Sequence, residues 1–285
     1  MIKWGGIRFS FHPLFVLVML ASVFTGHFLE LLALFAIVFV HELGHVAAAR
    51  MFGLSVISVQ MLPFGGVAVL EDNGYISSSR EIAIALAGPL QNLLLIMVST
   101  TLHALGLWEG EFFFYFIKCN LLIALFNLLP ILPLDGGKII QAMCAMFLPY
   151  HTTLLWSLRI SLLFSLLVTL YAMVPFMLGK GGLQLNMLMI GGFLLYSNYM
   201  DYRNIPYRFL RFLMNRDSAF THHLLQGSVA YPIIAERSKP LDQILRLFRR
   251  EKYHFIYIMN ARGNIVSVIP EQRVISSYLR GGPGG

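Results

Sequence analysis

The chain has 285 residues, of which 57% are hydrophobic and 12% charged. A soluble domain carries about 25% charged residues, so the composition excludes an ordinary globular enzyme and points to a membrane protein. The net charge of +7 sits in the tail: residues 1–200 hold eight Lys/Arg and eight Asp/Glu, residues 201–285 thirteen and six.

Basic residues beside spanning segments mark the cytoplasmic side, where they meet anionic headgroups. The lipid bilayer is therefore the expected partner, with no direct contact to nucleic acid. Lys3 and Arg8 precede an apolar run from Leu14 to Phe24 with no small-x-small cleavage site after it. That run reads as a retained first helix rather than a signal peptide.

Six spans are expected, at 13–27, 29–51, 82–105, 112–130, 154–178 and 184–200, since about twenty apolar residues cross a hydrocarbon core. Gly26-His27 makes the first turn. Between the second and third spans, residues 55–70 hold two β-branched stretches around Pro63-Phe64-Gly65-Gly66, which predicts a hairpin. Too short to cross a bilayer, it must lie against the helices or dip into the membrane, because bare strand edges cannot face lipid. Gly88-Pro89 predicts a kink or close packing in the third span, with Asn92 bonding across helices. The tail predicts a strand over 230–235, a helix over 240–250, a strand pair at 253–259 and 265–269, and a helix over 271–278. The fold class is thus a polytopic α-helical membrane protein of about six transmembrane helices, with a membrane-associated β-hairpin and a small C-terminal α/β module.

The second span contains His41-Glu42-Leu43-Gly44-His45. Positions i and i+4 share a helix face, so both imidazoles reach one metal ion, and Glu42 beside them can deprotonate a metal-bound water. Three ionisable residues within five positions of an apolar helix need a shared explanation such as a metal. A catalytic zinc takes three protein ligands. The acids and histidines at membrane depth are Glu30, Glu81, Asp135, His27 and His103. With the basic tail inside, six spans put both termini on the cytoplasmic side and His41 to His45 in the inner half of the second helix. Glu30, His27 and His103 then fall at the opposite surface, leaving Glu81 and Asp135. The fourth span exits directly toward Asp135 through Asn127-Leu-Leu-Pro130-Ile-Leu-Pro133-Leu-Asp135-Gly136-Gly137, irregular chain of a kind tolerated at membrane depth only when buried or lining a cavity. Asp135 before Gly-Gly also reads as a turn aspartate, and Asn127 as a residue that satisfies carbonyls in the Pro-rich stretch.

His41-Glu42-Leu-Gly-His45, Pro63-Phe-Gly-Gly66, Ala87-Gly88-Pro89-Leu-Gln-Asn92 and the Asn127–Gly137 segment together resemble the site-2 protease family of intramembrane zinc metalloproteases. The resemblance covers residues 10–200 and is strongest to the sporulation factor B branch, whose C-terminal element is a cystathionine-β-synthase-type (CBS) module. It implies one catalytic Zn2+ held by His41, His45 and Asp135, Glu42 as general base, and a substrate-orienting or oxyanion-stabilising role for Asn127. It also implies a membrane-tethered sigma-factor precursor as substrate and membrane-embedded inhibitory or regulatory proteins as partners. The hairpin residues Pro63, Phe64, Gly65 and Gly66 are expected to bind substrate by strand addition. The expected domains are a transmembrane metalloprotease domain (1–200), a cytosolic linker (201–228), a CBS-like module (229–280) able to take ATP or another adenine nucleotide, and a flexible tail (281–285). The sequence leaves the oligomeric state open, a homo-oligomer included. Competing readings are a membrane metal transporter, which needs polar groups along the whole bilayer depth, and a non-catalytic adaptor, which has no use for Glu42.

Overall fold

A computed structural model describes residues 2–4, 7–11, 13–62, 65–70, 76–179, 182, 184–216 and 229–281. Two units emerge: Met1–Asn73, Ser79–Leu129 and Leu134–Ile139 form the first; Gly74–Ser78, Pro130–Pro133 and Ile140–Gly285 form the second.

The first unit holds β1 (Ile2–Trp4), β2 (Ile7–Phe11), α1 (Pro13–Thr25), α2 (Phe28–Met51), β3 (Val56–Leu62), β4 (Gly65–Leu70), α3 (Ser78–Ala104), α4 (Glu111–Asn127) and the start of α5 (Asp135–Phe147). Gly26, at φ 79°, makes the turn from α1 to α2. The hairpin forms as expected, β3 and β4 running antiparallel with Val59 opposite Ala68. Gly65 and Gly66 open β4, opposite Leu62 and Met61, whereas Pro63 and Phe64 lie outside the described residues. The hairpin is not alone: β2 pairs in parallel with β3, and β1 antiparallel with β2, giving the order β1-β2-β3-β4. The two N-terminal strands escape a sequence reading because their partner lies far along the chain and each is at most five residues long. Helix α2 packs on α1, α4, β3 and β4. The small core beneath it is Val46, Ala49 and Val56, flanked by Phe39, Leu43, Leu54 and Ile84.

In the second unit, α5 continues and is followed by α6 (Tyr150–Met177), α7 (Leu185–Arg203), α8 (Ile205–Met214), β5 (Tyr231–Glu236), α9 (Leu241–Leu245), β6 (His254–Met259), β7 (Ile265–Pro270) and α10 (Glu271–Gly281). Three described helices are both long and apolar enough to cross a membrane: α2, α3 and α6. The other expected spans are helices too. However, α1 has 13 residues and α4 17, about 20 and 25 Å of rise, against a hydrocarbon core of about 30 Å. Helix α7, with 19 residues, closes on the polar run Asp201-Tyr202-Arg203.

Helix α6 is patterned for lipid rather than water. It exposes Leu163, Leu166, Leu167, Leu170 and Tyr171 and buries Ser157, Ser161, Ser165 and Ala172. Apolar tails make good solvent for leucine, so small and hydroxyl side chains take the packed face. Against it lies Asn198 of α7, wholly buried. Together they hold the irregular Pro130–Pro133 stretch: the Leu132 amide donates to Ser161 Oγ at 2.7 Å, and its carbonyl accepts from Asn198 Nδ2 at 2.6 Å. Ser161 in turn donates to Asn198 Oδ1. Buried backbone outside a helix is thereby satisfied, as hydrocarbon demands.

The C-terminal part has the expected β-α-β-β-α order, with β5 and β6 parallel and β6 and β7 antiparallel. Helix α9 stops at Leu245, earlier than expected, but a turn of i to i−3 bonds carries Phe248 into the core. That core, built on Ile233, Ala235, Ile244, Leu245, Ile256, Val274 and Ile275, also takes Leu213, Phe209 and Phe212. Helix α8 thus stands inside the stretch expected to be linker, and the module is built onto it.

A charged group seals this junction. Arg216 is 2% exposed. It donates to both carboxylate oxygens of Glu271, at 2.9 and 2.7 Å, and to the carbonyls of Arg249, Arg250 and Lys252. His254, fully buried and stacked on Phe248 at 4.8 Å, accepts the Arg249 amide at Nε2, so its proton sits on Nδ1 and points to Glu271 Oε2 at 2.9 Å. Burial lowers the His254 pKa from its ordinary value. The bond to Glu271 opposes the shift and the Arg216 charge reinforces it, so the ring is neutral. One cation and one anion then balance in the dry interior. His254 is structural; His222 and His223 lie outside the described residues.

Candidate metal centre

His41 and His45 lie one turn apart on α2, buried at 3% and 9% exposure, with ring centroids 4.9 Å apart at 83°. Each ring is aimed by a bond at its far nitrogen. His45 Nδ1 lies 2.7 Å from the Ile84 carbonyl of α3, an acceptor only, so Nδ1 carries the proton. His41 Nδ1 lies 2.6 Å from Asn92 Oδ1, again an acceptor. The Nε2 atoms of both rings therefore face inward.

Asp135, the first residue of α5 and 3% exposed, completes the cluster. Its Oδ2 stands 3.1 Å from His41 Nε2 and 3.1 Å from His45 Nε2, which are 3.2 Å from each other. The other oxygen accepts from Lys138 Nζ at 3.0 Å. Glycine places this carboxylate: a Cβ at Gly136 would fall 2.2 Å from the Leu128 carbonyl oxygen. Gly88 does the same for α3, since a Cβ there would lie 2.4 Å from His45 Nε2 and 2.6 Å from His41 Nε2.

Two imidazole nitrogens and a carboxylate oxygen thus converge on one point, an arrangement that a cation at the centre would satisfy. Two imidazoles and a carboxylate are a zinc donor set. Bonds of about 2.05 Å in a tetrahedron put ligand atoms about 3.3 Å apart, against the 3.1 to 3.2 Å seen here. Among the described residues these three form the group able to hold a metal ion.

The remaining acids and histidines of the sequence reading lie elsewhere. His27 pairs with Glu30 at the exposed start of α2, and His103 Nδ1 bonds the Trp108 carbonyl at 2.7 Å. Glu81 belongs to the first turn of α3. Glu42 follows His41 directly and is half-buried. Asn127, the last residue of α4, donates to the Ile123 carbonyl of its own helix at 3.0 Å rather than to the Pro-rich stretch. Asn92 does bond across helices, reaching His41 on α2 and Asn120, its buried partner on α4, two contacts beyond the sequence expectation. The signal was there: an asparagine in an apolar helix is expensive unless it bonds.

The chain is 31% identical over 281 residues to Stage IV sporulation protein FB of Bacillus subtilis (strain 168), spanning 97% of this chain and 94% of that one. It belongs to peptidase family M50. The profile of that family matches residues 29–110 and 100–168, which include His41, Glu42, His45 and Asp135. A second M50-like relative, Zinc metalloprotease MJ0392 of Methanocaldococcus jannaschii, is 31% identical over 112 residues, 38% of this chain and 32% of its own. The solved site-2 protease of Methanocaldococcus jannaschii shares the fold, with a TM-score of 0.55 and 24% identity over 70% of this chain and 93% of that one. This M50 peptidase is accordingly a zinc metalloprotease of the site-2 type, embedded in the membrane through apolar helices.

Proposed function

We propose that this M50 peptidase cuts a membrane-tethered proprotein at or just inside the cytoplasmic face of a bacterial membrane. Its zinc ligands are His41, His45 and Asp135, and Glu42 is its general base. The observation that carries the reading is the convergence of three ligand atoms within 3.2 Å of one another on buried side chains. Bound there, zinc supplies Lewis acidity that brings a water pKa toward neutrality and polarises a carbonyl. The Glu42 carboxylate takes a proton from the attacking water and returns it to the leaving amine. Asn127 orients the substrate or helps to stabilise the oxyanion.

The scissile segment must be unwound before its carbonyl can be attacked. Strand β4 lies at one edge of its sheet, which supports strand addition beside Pro63 to Gly66 as the means of holding the segment extended. Likeness to a sporulation protein over nearly its whole length supports a sporulation sigma-factor precursor as substrate and membrane proteins as its inhibitors. Both termini are cytoplasmic in this reading. Residues 1–200 are the protease domain, and 229–280 are a CBS-like module that meets the substrate or an adenine nucleotide.

Co-expression of a membrane-tethered sigma-factor precursor with the wild-type chain and with Glu42→Gln tests the proposal. The expected result is a shortened product with wild type alone, both proteins retaining zinc. Equal product with both removes Glu42 as the base, and no product with either removes this substrate class.

A further inference from the structure

Asn92 and Asn120 are both wholly buried in the first unit, among helices whose other inward residues are mostly apolar. We infer that Asn120 is a positioning residue that, acting through Asn92, sets which nitrogen of His41 is offered to the metal. The inference rests on the metal-centre reading above and deepens it.

The argument is one of hydrogen-bond polarity, and it begins at a group that cannot reverse. The Phe116 carbonyl only accepts, and the Asn120 amide lies 2.9 Å from it, so Nδ2 of Asn120 must face that way. Oδ1 of Asn120 is thereby turned toward Asn92, whose Nδ2 donates to it at 3.2 Å. With its own nitrogen so engaged, Asn92 presents Oδ1 to His41 Nδ1 at 2.6 Å. An oxygen acceptor there demands a proton on Nδ1, and the lone pair is left on Nε2, 3.1 Å from Asp135 Oδ2. A backbone carbonyl on α4 thus dictates the tautomer of an imidazole on α2. Without Asn120 the Asn92 amide is free to flip, and its flipped form offers N–H to Nδ1. That stabilises the tautomer whose proton points into the metal centre. His45 needs no such relay, because the Ile84 carbonyl fixes it directly.

Outer partners of metal-bound histidines typically change metal affinity about 10–100-fold when removed. Zinc affinity of the full chain in detergent is measured by competition with a chromophoric chelator, together with the visible spectrum of the cobalt-substituted protein and helicity by circular dichroism. Asn120→Leu, of similar volume, is expected to weaken zinc about 10–100-fold and to alter the cobalt bands while helicity holds. Asn120→Ala replaces it should the leucine variant fail to fold. The double variant Asn92→Asp/Asn120→Leu is expected to recover wild-type affinity within a few-fold, since a carboxylate has no wrong face to turn. A merely structural Asn120 predicts no such rescue. Wild-type affinity in Asn120→Leu, or a double variant no tighter than the single, overturns the inference and leaves the metalloprotease reading intact. A wild-type chain that binds no zinc overturns both.

Discussion

Gly88→Ala tests the metal centre without altering any ligand. The added Cβ would stand 2.4 Å from His45 Nε2 and 2.6 Å from His41 Nε2, where ordinary contact begins near 3.5 Å, an overlap of about 1 Å. The rings cannot swing clear, because His45 Nδ1 is tied to the Ile84 carbonyl and His41 Nδ1 to Asn92. The donor atoms must move apart by about the overlap, and a misplacement of that size costs roughly 100-fold in catalytic rate. The helix itself gains about 0.5–1 kcal/mol from losing a glycine, so folding is not at risk from propensity. Gly192→Ala in α7 is the control, since its Cβ meets nothing within 4 Å. Chelator-competition titration of the two purified variants should show weakened zinc affinity in Gly88→Ala and unchanged affinity in Gly192→Ala. Cleavage should be lost in parallel. Equal zinc affinity in the two variants would refute the assignment of His41 and His45 as ligands.

Two further outcomes follow from the second unit. Asn198→Leu orphans the Leu132 carbonyl and a partner of Ser161, at about 1–3 kcal/mol for each buried group. The thermal midpoint of the chain in detergent should fall by several degrees, and an unmoved midpoint would mean the loop does not depend on that amide. The His254 pKa is lowered on folding, so only the unfolded chain takes up a proton as pH drops below about 6.5. The stability this ring confers is therefore complete above that pH and declines as pH falls toward the folded-state pKa. Amide exchange of β6, corrected for intrinsic rate, should report a less protected module at pH 5.5 than at pH 7.5, and His254→Gln should flatten that dependence. A pH dependence that survives the substitution would assign it to other groups.

The residue types that set local geometry were legible in the sequence. The i, i+4 histidines of α2, the acid beyond the fourth helix and the turn-flanked β-branched pair each announce themselves within a dozen residues. What escaped was set by distant partners. Strand β2 exists because β3 offers it an edge some fifty residues later. Helix α5 was hidden by Pro130, Pro133 and the glycine pair, whose local message is irregular chain, although the helix begins at Asp135 itself. Helix α8 was hidden for a different reason: Arg203, Arg208, Arg211 and Arg216 lend the stretch a linker's composition, and only the packed structure shows Phe209, Phe212 and Leu213 turned into a core. Helices α1, α4 and α7 stand where spans were expected, with 13, 17 and 19 residues.

Arg216 carries a practical consequence for anyone dividing the protein. A cut made in the basic stretch, on the view that it is a tether, would strip α8 of its cover and leave a guanidinium without Glu271. The resulting fragment would misbehave for reasons unrelated to recognition. The same bonds fix the reach of the module: whatever docks on it is presented at a set angle to α8, rather than sampling the sphere that a loose leash would sweep.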